Sequence, residues 1–139
     1  MSKAQREKGK AGERELAALF REYGFNARRT SQYCGQTGDA SDVIGLPGIH
    51  VECKRCETTK IHEWMAQAKR DAKPELIPAV FHRRSREKWL VTMQAEDFLR
   101  LYEANAIYQV LQDNGGRLFD LMETDKKGKS NEKVHASGF

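Results

Sequence analysis

Apolar positions along the chain change period several times, and each change marks an element. Leu16, Leu19, Phe20 and Tyr23 recur at i, i+3, i+4 and i+7, the spacing of one buried stripe, and predict a helix over residues 3–23. Gly24 follows as its C-terminal cap. Residues 25–30 read as a first strand, and 31–38 as a polar, glycine-containing loop. Two short apolar runs then flank Leu46-Pro47-Gly48-Ile49. Proline presets the first φ of a type II turn and glycine accepts the positive φ that follows, so the two runs should pair as a hairpin. Side chains alternate along a strand, which puts Glu52 and Lys54 on one face and Val51 and Cys53 on the other. Asp42 enters from the facing strand.

Beyond the hairpin, Thr58 or Thr59 can cap a second helix running to about residue 72, with Ile61, Trp64, Met65, Ala68 and Ala72 on its buried side. Gln67, Lys69, Arg70 and Lys73 fall off that stripe, toward solvent or a ligand. Pro74 ends the helix, and residues 76–82 and 88–92 read as two further strands. The tip between them carries Arg83, Arg84 and Arg86, equally readable as a finger for a polyanion or as a soluble turn. A third helix starts near Gln94, packs through Phe98, Leu101 and Tyr102, and continues to about Leu111. Asn114-Gly115-Gly116 breaks it. A short apolar piece at 118–122 follows, and from about residue 124 the chain lacks the apolar surface to stay ordered. There are no internal repeats.

A chain of 139 residues supports one domain with a single core. No stretch approaches the roughly 20 apolar residues of a membrane span, and the N-terminus has no hydrophobic signal segment. The expectation is a cytoplasmic protein with no membrane partner. The net charge of +4 points only weakly to a polyanion. Its distribution says more: between Lys54 and Lys88 there are ten Lys/Arg against five Asp/Glu, and Arg28 and Arg29 precede the hairpin. That excess beside an acidic cluster suits a phosphodiester substrate, although charge alone favours a solvated surface. Cys34, Cys53 and Cys56 are an odd set, consistent with a reducing compartment. The Cys53-x-x-Cys56 spacing sends its thiols to opposite strand faces, and no second such pair exists, so zinc or redox use is not expected.

Two carboxylates and an ammonium at one hairpin edge, Asp42, Glu52 and Lys54, suit a hard divalent cation and a positioned water. On the first helix, Glu13 and Glu15 both flank the apolar stripe while Arg14 faces away, and helix geometry does not separate the two acids. The order of elements resembles the PD-(D/E)xK nuclease superfamily, and within it the archaeal-type Holliday-junction resolvases and their phage relatives. The matching stretches are Lys8-Gly9-Lys10-Ala11-Gly12-Glu13-Arg14-Glu15-Leu16, Gly24-Phe25 with Arg29 after it, Asp42-Val43-Ile44-Gly45 and Val51-Glu52-Cys53-Lys54. The likeness is close over the first half and looser to about Thr92. Two features depart from it: Ser41 stands where members often have proline, at a position read as permissive, and the 31–38 loop is long. Asp39 is a possible substitute for Asp42, but Asp42 leads directly into the strand.

The resemblance implies an α/β fold with a restriction-endonuclease-like core, a central mixed sheet of about five strands flanked by helices. It implies a nuclease domain over residues 1–112 and a partly mobile C-terminal extension over 113–139. It breaks the tie in favour of Glu13, and makes Glu13, Asp42, Glu52 and Lys54 catalytic, the three acids serving as ligands of Mg²⁺, for which Mn²⁺ substitutes. Lys54 would orient the water or steady the transition state. DNA contacts fall to Arg14, Arg28, Arg29, Thr30, Ser31, Lys69, Arg83, Arg84 and Arg86. The implied activity is structure-specific cleavage of four-way junctions by a homodimer making paired symmetric nicks. The alternatives are a related nuclease acting on flaps, duplex or ends, and a non-catalytic DNA-binding module of the same fold.

Overall fold

A computed structural model describes residues 1–30 and 41–114. The elements run α1 (Lys3–Glu22), β1 (Arg28–Arg29), β2 (Val43–Ile44), β3 (Ile49–Arg55), α2 (Ile61–Asp71), β4 (Ile77–Arg83), β5 (Leu90–Met93) and α3 (Ala95–Asp113). The strands form one sheet in the order β1-β2-β3-β4-β5. β3 and β4 are parallel and joined through α2, whereas the other neighbours are antiparallel. This is the mixed five-stranded α/β core expected of a restriction-endonuclease-like fold.

Local chemistry accounts for most element ends. Ser2 and Gln5 form a reciprocal capping box at the start of α1. At its end Phe25 N–H reaches Phe20 O (3.1 Å) and Gly24 N–H reaches Arg21 O (3.0 Å), a Schellman closure that Gly24 permits at φ +89°. The Leu46–Ile49 turn closes with Ile49 N–H on Leu46 O at 3.3 Å and Gly48 at φ +78°, as the type II reading requires. Two expectations shift. Neither Thr58 nor Thr59 caps α2, which starts after Lys60 with no side-chain cap. The first strand shrinks from 25–30 to Arg28–Arg29, because its partner β2 is itself only two residues long.

The chain divides into two compact units, Met1–Asp97 and Phe98–Phe139. In the first, the sheet separates two apolar clusters. Leu16, Ala17 and Phe20 of α1 pack with Val43 and Val51, while Trp64 and Ala68 of α2 pack with Val80. Strand alternation therefore turns Val51 and Cys53 toward α1 and leaves Glu52 and Lys54 on the α2 side, as the hairpin pattern predicts. Of the second unit, α3 is described, and it does not pack through Phe98, Leu101 and Tyr102 as its pattern suggested: Phe98, Leu99, Tyr102, Ile107 and Tyr108 are more than half exposed and Leu101 is 40% exposed. The 31–38 loop and nearly all of the 113–139 extension lie outside the described residues.

Gly45, at φ +104°, lies where β2 passes the segment before β1, and a Cβ there would sit 2.1 Å from the Asn26 carbonyl oxygen. Gly9, inside α1, has open space instead. Gly45→Ala should therefore cost roughly 2–4 kcal/mol in chemical denaturation. Gly9→Ala should add about 0.5–1 kcal/mol. Equal effects of the two changes would contradict this account of the β2 approach.

Candidate active site

The site forms where β2 leaves β3. The registered pairing of these strands is the single couple Val43↔Val51. Next to it the Asp42 carboxylate takes the place of a backbone acceptor: its Oδ2 receives the Cys53 N–H at 2.8 Å. Thr30 fixes the same residue from β1's end, its amide donating to Asp42 O at 3.0 Å and its hydroxyl to the Ser41 and Asp42 carbonyls. Glu52 lies buried beside it, and its Oε1 is 2.9 Å from Lys54 Nζ. Lys54 in turn donates to Gln67 Oε1 of α2 at 3.0 Å. Asp42, Glu52, Lys54, Gln67 and Glu13 all line one groove of about 910 Å³.

Burial and neighbouring charge push the two carboxylates apart. Burial raises Asp42, and the negative charges of Glu52 and Glu13 raise it further, to about 7, against the Cys53 amide and Lys54. Burial also penalises the Glu52 carboxylate, but His50 and Lys54 outweigh it and hold the group below its ordinary range. The Cys53 thiol is pushed up by burial and by the surrounding acids, so it stays protonated, and Cys56 is exposed.

Asp42 and Glu52 are the residues that fit a hard cation: oxygen donors, dry, and crowded by like charge that a cation relieves. Among the described residues no group of three His, Cys, Asp or Glu is placed to hold a metal. Glu13 lines the groove, but its carboxylate is bonded to Arg29 Nε. A two-carboxylate site completed by water and substrate phosphate is how Mg²⁺ is usually held.

The structure redistributes the DNA-contact candidates. Arg29 is taken by Glu13, and Thr30 serves the backbone of Asp42. Arg83 lies 3.7 Å from Glu15 and over the Trp89 ring, and Arg84 pairs with Glu87 at 3.0 Å. Arg14, Arg28, Lys69 and Arg86 are exposed but do not line the groove, and Ser31 lies outside the described residues. The cations that line the groove beside Lys54 are Arg6, Lys8, Lys10, Arg55 and Lys60. Sequence reasoning placed Gln67 off the buried stripe without its Lys54 partner, and it did not single out Arg6, Lys8 and Lys10, three of the five Lys/Arg that precede Leu16 on α1. It also gave no role to His50 and read position 41 as permissive, whereas His50 and Ser41 are bonded to each other behind Glu52 (Nδ1 to Oγ, 3.0 Å).

Because Asp42 rises from an ordinary 3.8 to about 7 on folding, the cation-free folded protein holds a proton that the unfolded chain has released. That contribution is fully present below about pH 4 and is lost as the pH climbs to about 7. With a chelator present, Asp42→Asn should therefore be more stable than the natural protein by roughly 2–4 kcal/mol near pH 8, and nearly equal to it near pH 4. A difference independent of pH in denaturation experiments would remove the crowding argument.

No curated protein matches the chain. No solved structure does so either. A family model described as "Phage putative PDDEXK endonuclease" matches residues 4–133, a span that holds Glu13, Asp42, Glu52 and Lys54 together. With the mixed sheet and the acid pair at its strand fork already in place, this match settles the family: the chain belongs to the phage PDDEXK endonucleases of the PD-(D/E)xK superfamily.

Proposed function

We propose that this endonuclease cleaves branched DNA, four-way junctions above all, with Mg²⁺ and as a homodimer. The observation that carries the catalytic part is the half-buried Asp42 beside the buried Glu52 with Lys54 at its side, in a groove also lined by Arg6, Lys8, Lys10 and Lys60. The two acids would hold the cation, and the surrounding cations would meet the phosphate backbone. Asp42 and Glu52 would hold Mg²⁺, which when bound would supply charge neutralisation at the scissile phosphate and a more acidic water. Lys54 spends two of its three N–H groups on Glu52 and Gln67 and keeps the third for water or a phosphate oxygen. Gln67 fixes the ammonium from α2, so the lysine is held between Glu52 and Gln67 with its remaining N–H free for the reaction.

The choice of junctions rests on the Holliday-junction-resolvase likeness of the α1 and hairpin motifs. The homodimer is supported by α3, whose exposed Phe98, Leu99, Tyr102, Ile107 and Tyr108 are costly to leave in water. Paired nicks across a symmetric junction also need two sites in fixed relation.

The test is incubation with labelled four-way junction, flap and linear duplex, with and without Mg²⁺. Symmetric nicks confined to the junction are expected, and Glu52→Ala or Lys54→Ala should lower the rate by roughly a thousandfold or more in a folded protein. Metal-dependent cutting of all three substrates would replace the junction with a general duplex activity. Binding without cutting would reduce the chain to a DNA-binding module. Light scattering at micromolar concentration should give twice the 15.9 kDa chain mass, and Leu99→Asp with Tyr102→Asp should halve it. A monomeric natural protein would sink the dimer.

A further inference from the structure

Behind Glu52 lies a buried polar chain that the catalytic reading leaves unused. His50 precedes Glu52 by two residues on β3, so the pleat turns both to the same face. Its ring is 1% exposed, and Ser41 beside it is 4% exposed. His50 Nδ1 lies 3.0 Å from Ser41 Oγ. His50 Nε2 has no hydrogen-bond partner and lies 3.9 Å from Glu52 Oε2.

We propose that His50 is a positioning residue for the cation site, held by Ser41 and acting on the Oε2 side of Glu52. The claim rests on the reading of Glu52 as a cation ligand. The carboxylate selects the tautomer: a bare Nε2 lone pair would face another acceptor, so the proton sits on Nε2 and Nδ1 accepts from the Ser41 hydroxyl. Glu52 is then flanked by donors on both oxygens, Lys54 at Oε1 and the imidazole N–H toward Oε2. At 3.9 Å the ring acts through its field and its bulk rather than through a formed hydrogen bond. Together the two groups fix the rotation of the carboxylate and favour its charged form inside a dry pocket, the service that neighbours of metal ligands commonly perform. Ser41 and His50, both buried and bonded to each other, form one device.

The experiment titrates Mn²⁺ into the full chain and reads the free ion by electron paramagnetic resonance, without substrate. The natural protein should bind, and His50→Leu should bind roughly tenfold to a hundredfold more weakly. His50→Gln, whose amide can restore a donor toward Oε2, should stay within about threefold of the natural protein. Folding of each variant is checked by circular dichroism. If His50→Leu does not fold, Ser41→Ala decides: an affinity weaker by about threefold or more supports the device, and an unchanged one overturns it. A folded His50→Leu with natural affinity also overturns it, as does a loss in His50→Gln equal to that in His50→Leu. Absence of Mn²⁺ binding by the natural protein would instead defeat the reading of Asp42 and Glu52 as cation ligands, and this inference with it.

Discussion

At the fork between β2 and β3 the Asp42 carboxylate accepts the Cys53 amide at 2.8 Å, and the way the two strands part beside the groove depends on that bond. An amide leaving a ladder inside a protein must find an acceptor or bear the cost of desolvation. Here the acceptor is a side chain, so the strands can part without leaving Cys53 unsatisfied, and the parting is what opens the groove. The arrangement is secured from three directions. Thr30 ties Asp42 to the end of β1, Asp42 N–H itself donates to Val51 O at 2.8 Å, and Gly45 lets the strand pass close to Asn26.

The same bond forces two carboxylates into one dry corner. The protein compensates them unequally. Glu52 has an ammonium and an imidazole facing it, and it is held in its charged form. Asp42 has one backbone amide and the charge of Lys54 against burial and two negative neighbours, and its proton is held to about 7. A site arranged this way is poised rather than relaxed: its ground state carries an electrostatic penalty that a divalent cation removes. Stability without the cation and readiness to bind it are therefore opposed at Asp42.

What the sequence made legible was what local rules decide. The Gly24 closure, the Pro47-Gly48 turn and the shared face of Glu52 and Lys54 each follow from a few neighbouring residues and appear where expected, as does most of the α1 stripe: Leu16 and Phe20 are buried and Leu19 partly so, whereas Tyr23, at the C-cap, is 77% exposed. What depended on distant partners was not legible. Glu13 and Glu15 sit almost equivalently on a helical wheel. They are separated only by which arginines the sheet presents, Arg29 of β1 to Glu13, and Arg55 and Arg83 of β3 and β4 to Glu15. Gln67 falls off the apolar stripe of α2 whether it meets solvent or Lys54, and only the approach of β3 makes it the latter. The short β1 has the same origin, since a strand extends only as far as its partner does.

The arginines show which cations the fold itself engages. A planar guanidinium is the residue best suited to sit partly buried against a carboxylate, and α1 brings two carboxylates to the sheet. Arg29, Arg55 and Arg83 are drawn to them, and Gly12 makes room for Arg55, whose Cβ would lie 3.0 Å from a Cβ at that position. The lysines on the groove rim are placed differently. Lys8 pairs with Glu57 at 3.2 Å and Lys10 with Glu7 at 3.4 Å, in partly exposed contacts of the kind that contribute little. Exchanging such a glutamate for a phosphate oxygen costs almost nothing, whereas pulling Arg29 from Glu13 would strand an acid beside Asp42 and raise the latter's pKa still further. Cations that hold the fold together are thus poor candidates for the substrate. The weakly committed lysines at the start of α1 and before α2 are the better ones, and the clustering of Lys/Arg ahead of Leu16 marks those of α1 in the sequence.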